Sequence, residues 1–85
     1  MVIKQYARNA LIIANLAKSK NMSIINIPFK TEDFDSFTDH YETVNAAVTT
    51  LESNGFKVTR LFGRDMSGFL TIIKLKVYVG DNNEL

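Results

Sequence analysis

The chain has 85 residues, of which 46 % are hydrophobic and 22 % charged, with no cysteine and a formal net charge of +1. A chain of this length makes one domain of thin stability, because it buries only about 60 % of its unfolded surface. The composition excludes a largely disordered polypeptide, and the missing cysteines exclude disulfides and thiolate metal sites.

In chain order, residues 2–19 predict a helix. Ile3, Ala7, Ala10, Ala14 and Ala17 repeat at alternating spacings of four and three, flanked by Tyr6 and Ile13. Leu11 falls among Lys4, Arg8, Asn15 and Lys18, on the polar side. Ile12 and Leu16 lie beside it, so the apolar stripe is wide. A wide stripe points to contacts beyond the helix's own sheet: a partner or a second copy.

Ile24–Phe29 predict a strand rich in β-branched residues, and Pro28 assigns it to a sheet edge. Residues 30–38 predict a polar, acidic loop. Residues 36–54 predict a second helix, capped by Ser36 or Thr38, with Phe37, Tyr41, Val44, Val48 and Leu51 as its buried stripe. Asn54-Gly55-Phe56 is a stop signal in which Gly55 takes positive φ and Phe56 packs back. Phe56–Phe62 and Phe69–Val79 predict two strands joined by the loop Gly63–Gly68, a hairpin. Residues 80–85 predict a loose tail on a single domain spanning 1–85.

The expected fold class is therefore α+β in the order α-β-α-β-β. The third strand, the longest and most apolar, belongs in the centre, giving sheet order 1-3-2 with both helices on one face. The other face is then open. If Ile73, Leu75, Val77 and Val79 point at the helices, simple alternation turns Leu70, Ile72, Lys74, Lys76 and Tyr78 outward, joined by Lys57 and Thr59.

Charge is segregated along the chain. Residues 1–31 hold five bases and no acid, 32–52 six acids and no base, and 53–79 five bases against one acid. Such blocks make a local field only if the fold keeps them apart. No run approaches the roughly 20 apolar residues of a membrane span. Lys4, Gln5, Arg8 and Asn9 interrupt any signal-peptide pattern, so a cytoplasmic protein is expected.

No catalytic constellation, metal site or cofactor site is expected. His40 is the single histidine and is expected on the solvated surface. Ser36, Asp39 and His40 share one helical turn and point apart, which a triad cannot tolerate. The Gly63–Gly68 loop with Arg64 leads into a strand rather than a helix, so a plain hairpin outweighs a phosphate cradle. Glu32, Asp33 and Asp35 lack the glycine and closing glutamate of a calcium loop. The open face is the remaining candidate surface. Its apolar residues suit a protein partner or a homodimer, and its lysines and Tyr78 suit single-stranded nucleic acid.

The α-β-α-β-β layout, the segment Leu51-Glu52-Ser53-Asn54-Gly55-Phe56-Lys57-Val58 and the short polar tail resemble the small accessory proteins that bacteriophages encode. The resemblance implies a non-catalytic protein that binds a host macromolecule in the host cytoplasm and modulates or inhibits it. It assigns no residue a role.

Overall fold

A computed structural model describes residues 2–80, with side chains from Gln5 onward; the expected tail lies outside the described residues apart from Gly80. Its elements are α1 (Val2–Ser19), β1 (Ile24–Pro28), a 3₁₀ turn (Thr31–Asp33), α2 (Phe37–Ser53), β2 (Lys57–Arg64) and β3 (Leu70–Tyr78). The sheet has the order β1-β3-β2, with β3 antiparallel to both neighbours. The fold is the expected α+β arrangement, and Pro28 lies at the end of an outer strand, where its missing N–H costs no central ladder bond.

Each helix ends as its chemistry dictates. Asn21 adopts φ 62°, Met22 N–H donates to Ala17 O and Asn21 N–H to Lys18 O, closing α1 in a Schellman motif. Gly55, at φ 89°, does the same for α2 through Phe56 N–H to Leu51 O, and Phe56 packs back into the core. At the start of α2, the Ser36 hydroxyl accepts from Asp39 N–H at 3.1 Å.

The helices pack on each other and share one core with the sheet. Val44, Ala47, Leu51, Leu75 and Val77 are fully buried at its centre. Helix α1 contributes mainly small residues, Ala7, Ala10, Ala14 and Ala17, which let α2 approach closely. This is the predicted stripe, and only its flanks differ from expectation. Leu11, expected on the polar side, is half-buried against the core, because Ala46 and Thr50 of α2 flank it. Ile13, expected inward, is exposed together with Ile12 and Leu16.

Helix α2 departs from expectation at its first turns. Phe37 and Tyr41 are 56 % and 61 % exposed, whereas His40, expected in solvent, is 2 % exposed. The cause is the connection after β1. Phe29 and Phe34 fold beneath α2 and meet its His40 side. His40 Nε2 donates to Phe29 O at 3.0 Å, and the imidazole stands edge-on to the Phe34 ring. Phe34 in turn contacts Tyr6 of α1, so the segment read as a polar loop plugs the end of the core.

A β-bulge decides which side of the sheet each β3 residue faces. Leu61 pairs with Lys74 but Phe62 pairs with Ile72, leaving Ile73 without a β2 partner. The extra residue shifts the alternation. Ile72 is therefore 7 % exposed within the core, not on the open face where uninterrupted alternation had placed it. Leu70 shares the side of Ile72 by alternation and is likewise not part of the open face. Ile73 instead packs on Gly63, where an added Cβ would lie 2.5 Å from Ile73 Cδ1.

Candidate binding surfaces

The open face of the sheet is a three-by-three grid fixed by strand register. Opposite residues share a face, so the rows run Ile24–Tyr78–Lys57, Asn26–Lys76–Thr59 and Pro28–Lys74–Leu61. Five of the predicted residues, Lys57, Thr59, Lys74, Lys76 and Tyr78, are brought together here. The nine positions hold three lysines and no acid. Two ammonium groups lie near the Tyr78 ring, Lys57 Nζ at 5.6 Å and Lys76 Nζ at 5.4 Å from its centroid. The Thr59 side chain, by hydrogen bonding, is the largest influence holding the Tyr78 hydroxyl below the usual phenol range. Desolvation opposes it, and the positive charges of Lys76 and Lys57 reinforce it.

Two clefts continue this face. At the Lys74 end, a cleft of about 330 Å³ is lined by Lys30, Thr31, Arg64 and Lys74, with Glu32 and Asp65 as its acids. At the Tyr78 end, a polar cleft of about 190 Å³ lies among Lys18, Lys57 and Tyr78. Lys57, Lys74 and Lys76 of the third block thus gather on this side, while Asp39, Glu42 and Glu52 lie on α2, across the sheet and beside Arg8 and Lys18 of α1.

The second surface lies where the hairpin outruns the rest of the sheet. β1 backs β3 only from Lys74 to Tyr78, so residues 62–64 and 70–72 pair as a two-stranded ribbon. Phe62, Phe69 and Leu70 are 62 %, 60 % and 67 % exposed there. The Phe69 ring meets Phe37 of α2 edge-on at 5.8 Å, and Tyr41 lies one turn further along that helix. Of this group the sequence pattern marks Leu70 alone as a binding residue.

The loop at the ribbon's tip is rigidly tied. Asp65 Oδ1 accepts from Ser67 N–H and Phe69 N–H, each at 2.9 Å, and Gly68 N–H donates to Asp65 O. Arg64 Nη1 donates to Gly68 O at 2.8 Å. The N–H groups of Ser67, Gly68 and Phe69 are thus engaged within the turn of the hairpin. A third apolar strip, Ile12, Ile13 and Leu16, runs along the outer flank of α1, which neither α2 nor the sheet covers.

Among the described residues no three or more His, Asp or Glu side chains converge as a metal site, and no helix is long and apolar enough to cross a membrane. No family model matches the chain, and no similar curated protein or solved structure was found.

Proposed function

We propose that this chain is a non-catalytic binding protein that docks on a protein partner through the aromatic end of its β2–β3 hairpin. One observation carries the reading. Phe37, Tyr41, Phe62, Phe69 and Leu70 stand more than half exposed at one end of a domain whose core is otherwise closed. At about 120 Å² exposed per side chain, they present on the order of 600 Å², the upper end of what a soluble monomer leaves uncovered. Aromatic side chains held by a rigid turn lose little entropy on docking. The partner is a protein that offers an apolar pocket. A phage accessory protein acting on a host protein in the host cytoplasm is the setting that suits such a surface.

Capture from bacterial lysate tests this by comparison of variants. Wild type retains one stoichiometric protein, Phe62→Ser with Phe69→Ser loses it, and Lys76→Gln keeps it. Equal capture by the Phe62→Ser, Phe69→Ser protein, with its fold intact by circular dichroism, overturns the reading.

Self-association is a second proposal, favoured by the uncovered Ile12, Ile13 and Leu16. A two-fold pairing of α1 would bury this strip twice. Light scattering at micromolar concentration is expected to give twice 9.6 kDa, and Ile12→Glu to restore the monomer mass.

A further inference from the structure

We infer that the open sheet face is a binding track for single-stranded nucleic acid, running from the cleft at Lys18 and Lys57, across Tyr78 and Lys76, to the cleft at Lys74 and Arg64. It is a surface separate from the aromatic hairpin end.

The argument begins with register. Because β3 is central, its outward residues Lys74, Lys76 and Tyr78 form the spine of the face, and β2 adds Lys57 beside Tyr78. Successive outward positions on a strand are about 7 Å apart, so the cations form a row rather than a cluster. None of the nine grid positions is acidic, and most of them are exposed. A row of ammonium groups with no acid among its grid neighbours on the sheet is complementary to a chain of phosphates.

The second element is the ring. Tyr78 is half-buried in the face, with two ammonium groups near it and the Thr59 side chain at its hydroxyl. Its place on the open face is set by the strand register before any ligand arrives. When phosphates draw Lys57 and Lys76 away, the ring becomes a platform for one base, and every base has a π-face. Duplex DNA presents its bases edge-on inside grooves and offers none to such a flat site. That difference selects the single strand.

The third element is continuity. From Lys74 to Tyr78 the face is roughly 13 Å long, and a cleft at each end extends the path to roughly 25 Å. Lys18 lies at one end, with Lys30 and Arg64 at the other. Glu32 and Asp65 line the second cleft as well, so the attraction is strongest over the grid itself. The asymmetry implies that Lys57, Lys74 and Lys76 carry the phosphate contacts and the clefts admit the strand's continuation.

Fluorescence anisotropy with fluorescein-labelled 12-mers of dT and rU, and with a duplex of equal length, tests the inference. Saturable binding of the single strands is expected at 25 mM salt, with log K falling against log salt at a slope near −2, about −0.7 for each of three phosphates. Lys74→Gln with Lys76→Gln should weaken binding more than tenfold and flatten the slope to near −0.7. Tyr78→Leu should weaken it about tenfold at unchanged slope, and Tyr78→Phe should leave it within about twofold of wild type. Far-UV circular dichroism of each variant confirms the fold, and the hairpin-end variant Phe62→Ser provides an independent control that should bind the oligonucleotides as wild type does. Absence of binding at 25 mM salt with the protein at 100 μM, on the order of a weak non-specific affinity, overturns the inference. So does equal affinity for duplex with no effect of Tyr78→Leu, which would mean unspecific charge attraction. Binding to anionic phosphatidylserine vesicles without binding to the oligonucleotides would assign the lysines to a membrane surface and overturn it too.

Discussion

The inner and outer halves of the β2–β3 hairpin are built from one continuous pair of strands, yet they present opposite chemistry. The inner half, Lys57–Leu61 with Lys74–Tyr78, is backed by β1 and the helix layer, so Leu75 and Val77 are sealed and lysines face outward. The outer half, beyond the bulge at Ile73, has neither β1 beside it nor a full helix layer above it. Its phenylalanines remain in solvent. The difference shows that side-chain type alone does not decide burial. What decides it is how far the neighbouring elements extend, and where the alternation changes phase.

The largest expected effect separates the two halves by energy. Leu75→Ala empties a fully enclosed site and should cost about 3 kcal/mol, a large share of what so small a domain possesses. Leu70→Ala removes the same atoms from the outer half and should cost less than about 0.5 kcal/mol. Urea denaturation of both variants measures the contrast. Equal costs would mean that the outer ribbon is covered in solution.

His40→Ala should follow, at about 1–3 kcal/mol, since it removes a buried ring and leaves Phe29 O without that donor. Asp65→Ala should cost about 1–2 kcal/mol by releasing the loop N–H groups of Ser67 and Phe69. Its clearest readout is hydrogen exchange, which should accelerate at those two amides and leave β3 from Lys74 to Tyr78 protected.

The fold was legible in the sequence because its signals are local and agree with each other. Pro28 marked an edge strand, Asn54-Gly55-Phe56 marked a helix stop, and the apolar length of 69–79 marked the central strand. Lys57, Thr59, Lys74, Lys76 and Tyr78 were placed on one face correctly, since all lie on the regular side of the bulge. Ile72 was misplaced because a bulge is a tertiary event. The one trace of it in the sequence is Gly63, whose missing side chain makes room for Ile73. Val44, Val48 and Leu51 lie on the buried face that periodicity predicts, but at the first turns of α2 Phe37 and Tyr41 turn out and His40 turns in. The cause is Phe29 and Phe34, which lie elsewhere in the chain. On α1 the alanine stripe is buried as predicted, and only its flanks differ: Leu11 is half-buried beside Ala46 and Thr50 of α2 while Ile13 is exposed.

The smallest expected effect lies on the open face. Tyr78 should ionise below the usual phenol value of about 10, and Thr59→Val should raise its midpoint. The sign for stability follows from the lowered folded-state value. The contribution is fully present above the unfolded-state value and is lost as pH falls through the folded-state value. Difference absorbance between wild type and Tyr78→Phe isolates this group from Tyr6 and Tyr41.

The phase change at Ile73 is what divides the hairpin into a basic face and an aromatic end, and the lack of native cysteine makes it directly measurable. Ile72→Cys and Ile73→Cys, each the single thiol of its protein, can be labelled with a thiol reagent under native conditions. Ile73→Cys is expected to react at least about tenfold faster, since the Ile72 site opens only when the core does. Faster labelling of Ile72→Cys would mean that the alternation runs unbroken through β3 and that the two surfaces are not divided there.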